Sequence, residues 1–208
     1  MERIFSLPLS APDMGEVSNL VQAYHLLVVP TDTVYGIGVR PDRSDAISRL
    51  LAVKGRGRQM PPPIVGASWR QLSRFVAPTS FNVEQLSQRF WPGALTLILP
   101  TAKDFTWDLG DRVGTVAVRV PGFDPLLDLL AEVGPLALTS ANLTGQPPAR
   151  SCDEARAYFG DVVGAYLDGG ASRIGVASTI LDLSGDCPRI IRQGSVSSEE
   201  LSAVVGPL

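Results

Sequence analysis

LLVVPTDTVYGIG, residues 26–38, is the stretch on which the reading of the fold turns. Its first four residues are apolar throughout, the composition of a short strand buried on both faces. The next nine are too polar, and too rich in hydroxyls, for an ordinary strand. They are also too regular for a random turn: Thr31, Asp32 and Thr33 are followed by Tyr35, Gly36 and Gly38. A buried strand that runs straight into such text predicts a polar loop lining a cleft.

Working outward, helices and strands alternate. Val17, Leu20, Val21 and Tyr24 share one face of a helix expected to start at Asp13 and to include His25. Asp42 or Ser44 caps a second helix that carries Ile47, Leu50 and Leu51 inward and ends near KGRGR. PIVGA (63–67) reads as a strand, and Thr79 or Ser80 opens a helix through Phe90. ALTLIL (94–99) and TVAVRV (115–120) are strong strand signals. DPLLDLLAEV places Asp as cap and Pro at the first helical position, an arrangement favoured at helix starts. LALTSAN is a strand entering a polar loop, and SCDE (151–154) has the spacing of a capping box. AYLDGG, STILDL and RIIRQG read as late strands, and SSEELSAVV as a closing helix. This interleaving predicts a single α/β domain over residues 1–208, with a twisted, open, mixed sheet and flanking helices.

Composition narrows the chemistry. The chain has 208 residues, 45% of them hydrophobic and 19% charged, with a net charge of −3. That is a globular balance, without the overall basicity of a nucleic-acid coat. Of 18 basic residues only Lys54 and Lys103 are lysines, so the cationic chemistry is nearly all guanidinium, which suits bidentate contacts with phosphate or carboxylate. One histidine and two cysteines without a CxxC pair make a zinc site or a Ser-His-Asp triad hard to build. No signal-peptide h-region and no apolar run near 20 residues is present, so a reduced, cytoplasmic protein with no membrane segment is expected.

The chemistry-bearing residues cluster where strands end. Lys54 and Arg56 follow a helix, where cations complement the dipole whether or not a ligand is bound; the functional alternative is that they hold polyphosphate oxygens. Ser140 and Asn142 in "SAN" suit either a turn or a ligand contact. Arg119, inside an apolar strand, needs a partner, either a substrate carboxylate or a structural Asp. The GxG of YGIG is weak by itself, and no GxxxxGK[ST] occurs, which excludes a P-loop. In open α/β sheets such groups converge on a cleft at strand ends. The residues themselves lead to an arginine-rich, anion-binding α/β domain.

PTDTVYGIG, KGR, WPGALTLIL, VAVRVP, TSANLTGQPP, STILDL and IIRQG occur in this order over nearly the whole chain. Together they resemble the YrdC/Sua5 family, whose members make threonylcarbamoyl-adenylate for the N6-threonylcarbamoyl modification of adenosine-37 in tRNA. The chain resembles the short form, without the extra C-terminal domain of longer members. The resemblance implies ATP contacts from Lys54, Arg56, Ser140, Asn142, Thr115, Arg192 and, less closely matched, Arg150. Of these, Lys54, Arg56, Ser140 and Asn142 would carry the reaction. It implies threonine contacts from Thr33, Arg119 and Ser178, and no protein metal site, Mg²⁺ arriving with ATP. The implied partners are L-threonine, bicarbonate or CO2, ATP and the downstream tRNA threonylcarbamoyl-transferase machinery, with room for weak tRNA binding. Where the family often has KGRP…NPL…H, this chain has Gly57 for the proline, Met60 near the asparagine, and Val65 or Gly66 near the histidine. That departure supports a competing reading as a paralogue with altered activity. A second competitor is an RNA-binding module using the same arginines without nucleotide chemistry.

Overall fold

The computed structural model describes residues 2–111 and 114–208. The elements run β1 (Ile4–Ser6), α1 (Ala11–Gln22), β2 (Leu27–Val29), β3 (Gly36–Val39), α2 (Ser44–Val53), β4 (Ile64–Val65), α3 (Trp69–Leu72), α4 (Val83–Phe90) and β5 (Leu95–Pro100). They continue with β6 (Thr115–Arg119), α5 (Asp124–Val133), β7 (Leu136–Ser140), α6 (Cys152–Phe159), β8 (Ala165–Asp168), β9 (Thr179–Asp182), β10 (Arg189–Arg192) and α7 (Ser198–Val205). All ten strands form one sheet in the order β1-β8-β2-β3-β7-β4-β6-β5-β9-β10. Parallel pairs (β1 with β8, β2 with β8, β4 with β6, β5 with β9) occur together with antiparallel ones, so the sheet is mixed, as expected.

The opening stretch is a hairpin rather than a strand followed by a loop. Residues 36–39 pair back on β2, Val29 opposite Gly36 and Leu27 opposite Gly38, and on their other side pair with β7. The glycines are a packing requirement of this strand. Ile37 and Val39 fill one core, while on the opposite face a Cβ at Gly38 would stand 2.6 Å from the Ala137 carbonyl and 2.7 Å from Leu138. Leu138 therefore occupies the space that side chains at 36 and 38 would need.

Strand alternation divides the apolar residues between two cores. Val28, Ile37, Leu95, Leu97, Val116 and Val118 pack with α2, α4, α6 and α7 on one face. Leu27, Val29, Leu136 and Leu138 pack with α1 and α5 on the other. Helices α1 and α5 cover their face from β8 to β4. Over β5, β6 and β9 that face stays open, and this opening makes the cleft.

Several boundaries move from their sequence expectation. α1 starts at Ala11, because the Ser10 hydroxyl accepts from the Asp13 amide and Pro12 suits the first turn. The helix stops before Tyr24, which adopts φ 60°, so His25 lies in the following connection and is exposed. Arg43 holds the N-cap position of α2 without a side-chain bond, Asp42 being paired with Arg40. Asn82, not Thr79 or Ser80, caps α4. Phe123 holds the N-cap position of α5, which puts Asp124 inside its first turn. At α6 the Ser151 hydroxyl accepts from the Glu154 amide, but Glu154 accepts from Arg150 N–H, so the box is not closed. The closed capping box is at α7, between Ser197 and Glu200. β1 and the single turn α3 were not legible: each is too short to show a period.

Candidate active site

A cavity of about 400 Å³ opens on the exposed sheet face. Its floor is built by period-two alternation. Thr115, Ala117 and Arg119 of β6 face the cavity with Thr96 and Ile98 of β5, while the residues between them enter the core. The site thus occupies the face of the sheet as much as its strand ends, which corrects the expectation of a purely terminal cleft. Of the expected contact residues, Thr33, Arg56, Thr115, Arg119, Ser140, Ser178 and Arg192 line the cavity.

At one end stands Arg119, only 8% exposed. Its Nη2 donates to Asp32 Oδ1 at 2.6 Å, Nη1 to Thr33 Oγ1 at 3.0 Å, and Nε to the Gly93 carbonyl at 2.9 Å. The sequence left open a substrate carboxylate or a structural Asp; Asp32 is that Asp, and one N–H on each terminal nitrogen remains for a ligand. Burial pushes the Arg119 pKa down and Asp32 opposes it. Thr31 braces the loop, donating to the Val34 carbonyl at 2.6 Å and lying 2.9 Å from the Thr33 hydroxyl. Thr96 and Ser178 pair their hydroxyls at 2.9 Å beside them.

At the other end Arg192 donates to the Ser178 carbonyl and hydroxyl, at 2.8 and 3.1 Å. Arg56 donates to Thr139 Oγ1 at 2.8 Å, and its buried Nε has no partner among the described residues. Burial lowers the pKa of both guanidiniums, and Arg192 adds repulsion at Arg56. The three arginines face a cavity to which the described residues contribute no carboxylate. Such an arrangement waits for an anion.

Lys54, Asn142 and Arg150 do not line the cavity wall. Lys54 is buried and supports the SAN loop from behind, its ammonium donating to the Ser140 carbonyl and, at 2.7 Å, to the Asn142 carbonyl. Burial, then the Arg56 charge, bring its pKa down to about 8. One of its three N–H groups stays available to a ligand at the loop. Asn142 donates its amide to the Leu143 and Gln146 carbonyls, leaving its buried Oδ1 without a partner among the described residues. Arg150 is exposed and lies against Gly175.

Thr31 and Asp32, which the sequence placed in the cleft-lining loop without a role of their own, hold the site, and the structure adds Thr96 and Thr139, which sequence reading passed over. Thr96 was signalled by its place as the one hydroxyl in an apolar run, two residues before cavity-facing Ile98. Gln59 and Met60 from the departing stretch form part of the wall, and so does Val65. Among the described residues no cluster of three or more His, Cys, Asp or Glu is placed to hold a metal, and no helix is long and apolar enough to cross a membrane.

The family model Sua5/YciO/YrdC, described as "Telomere recombination", matches residues 19–194. A Mycobacterium tuberculosis protein provisionally named threonylcarbamoyl-AMP synthase is 45% identical over 186 residues, covering 89% of this chain and 86% of that protein. Threonylcarbamoyl-AMP synthase of Bacillus subtilis is 35% identical over 207 residues, 97% of this chain and 59% of the longer relative. The crystal structure of P. abyssi Sua5 complexed with L-threonine is similar with a TM-score of 0.89 at 32% identity, covering 99% of this chain and 61% of that one. Motif order, family match and backbone geometry agree over most of the length, and the chain belongs to the Sua5/YciO/YrdC family.

Proposed function

We propose that the protein is an L-threonylcarbamoyladenylate synthase, forming threonylcarbamoyl-AMP and pyrophosphate from L-threonine, bicarbonate or CO2, and ATP. The observation that carries this reading is the cavity itself: three arginines, a row of hydroxyls, and no carboxylate from the described residues. Two relatives bear the name of this synthase, and one similar structure was solved with L-threonine.

Arg119 and Thr33 take the threonine carboxylate, using the N–H groups that Asp32 leaves over, and Ser178 meets the same substrate. The neutral amine of threonine adds to CO2 with loss of a proton, or condenses with bicarbonate with loss of water, to give a carbamate. A carbamate oxygen then bonds to the α-phosphorus of ATP as the bond to the β-phosphate oxygen breaks and pyrophosphate leaves. Arg56 and Arg192 neutralise phosphate charge, with Lys54, Ser140, Asn142, Thr115 and Arg150 on the nucleotide side. Mg²⁺ enters as part of the ATP complex. Positioning and charge stabilisation do most of this work, and the carbamate itself is the nucleophile, so no side-chain base is required. Exclusion of water by the bound substrates protects the labile carbamate and mixed anhydride from hydrolysis.

The product is a mixed anhydride for acyl transfer to tRNA adenosine-37 by downstream machinery in the cytoplasm. The RNA-binding reading is the weaker one, because the arginines face into a 400 Å³ cavity and Arg119 is buried. Incubation with ¹⁴C-bicarbonate, threonine and ATP tests the proposal. A labelled product that contains both AMP and threonine is expected; label that never enters an AMP-containing species contradicts it.

A further inference from the structure

The wall formed by residues 57–63 separates two spaces. Gln59, Met60, Pro61 and Pro63 face the substrate cavity, whereas Pro61 and Pro62 also border a second cavity of about 450 Å³ lined by Phe105, Trp107 and Leu109. The wall therefore has empty volume on both sides and no helix or strand of its own.

Pro63 ends the wall by accepting from the Leu138 amide at 2.9 Å, and the rest of its attachment runs through one residue. Between positions 57 and 62, every described hydrogen bond to the rest of the chain is made by Arg58. Its Nη2 donates to Asp108 Oδ1 at 2.6 Å and its Nε to Asp111 Oδ1 at 3.0 Å, while its carbonyl accepts from the Asp111 amide at 3.0 Å. The receiving loop is shaped for this contact. Asp108 Oδ1 also accepts from the Gly110 amide at 3.2 Å. Gly110 has φ 145°, and a Cβ there would stand 2.4 Å from the Arg58 carbonyl. Residues 107–109 are themselves anchored, since the Trp107 ring packs at a tilt with its centroid 4.5 Å from that of Phe75 and Leu109 is buried.

We infer that Arg58 is a positioning residue: its fork to Asp108 and Asp111 latches the 57–63 wall and holds Gln59 and Met60 against bound nucleotide. The kinetic consequence rests on the synthase reading; the latch itself does not. Both pairs are about half exposed, so each is weak alone, and their loss loosens the wall without unfolding the chain.

Arg58→Ala and Arg58→Lys test the inference by hydrogen exchange and by kinetics. In Arg58→Ala the Met60 and Asp111 amides exchange about tenfold faster while β6 amides keep their rates, and Arg58→Lys falls between. KM for ATP rises about fivefold in Arg58→Ala with kcat within about twofold, and Arg58→Lys recovers part of the loss. Unchanged exchange at Met60 and Asp111 would overturn the latch, even if the wild-type protein shows no synthase activity. Faster exchange with an unchanged KM in an active enzyme would overturn the positioning role.

Discussion

Arg119 and Asp32 form an ion pair with side chains 9% and 8% exposed, and such pairs are unforgiving of half-removal. Asp32→Ala leaves a buried guanidinium without its counter-charge, so a loss of about 3–5 kcal/mol in urea unfolding is expected. A loss below about 1 kcal/mol would show that water or another group already balances Arg119. Arg56 contrasts with it: it is half-buried and holds a single hydroxyl, so Arg56→Ala should abolish turnover while the melting temperature stays near that of the wild type. Near-normal turnover would remove Arg56 from the site. Lys54 gives a pH signature, because its folded pKa of about 8 lies below the ordinary 10.5. Above pH 8 the folded protein releases this proton while the unfolded chain still holds it. Stability relative to Lys54→Met therefore rises between pH 8 and 10.5. Over the same window the cationic group is lost, so kcat/KM for ATP falls. Parallel rather than opposed trends in the two measurements would contradict that assignment.

The β2–β3 hairpin carries Thr31, Asp32 and Thr33 at its turn, and its second strand pairs directly with β7, whose end is Ser140. The groups proposed for the threonine side and for the nucleotide side are thus set by one pairing. Gly38→Ala pushes a methyl against the Ala137 carbonyl and Leu138, and a cost of about 1–3 kcal/mol is expected with loss of activity. Wild-type stability in that variant would mean that the two strands can separate at no cost. At this scale the sequence was legible where signals were long or sharp: α1 stands where apolar spacing put it, α5 where its Asp-Pro start put it, and β5 and β6 where their apolar strand text put them, within a few residues. Residues 36–39 misled for a physical reason. Gly-Ile-Gly reads as loop, because strand propensity reports side-chain packing and here the neighbour Leu138 supplies the side chain.

The whole molecule carries a net charge of −3, yet its cavity holds three inward arginines, so cationic charge is concentrated in the proposed substrate cavity. The family could be read from motif order before any coordinates, and seven of the ten expected contact residues do converge on one cavity. What no motif revealed was the route by which they converge. Arg119 is legible as an odd residue in an apolar strand, but Asp32 becomes its partner only through β-sheet order, 87 residues away in sequence. Anion binding to this cavity stabilises the folded state by mass action, about 2.7 kcal/mol at a hundredfold excess over Kd, so ATP should raise the melting temperature. No shift at saturating ATP would show that the arginines are already satisfied. The most direct test of the account follows pyrophosphate release by the purified protein with ATP, Mg²⁺, L-threonine and bicarbonate. Release that requires threonine and bicarbonate together is predicted; release that proceeds without either, or none with all four present, would contradict it.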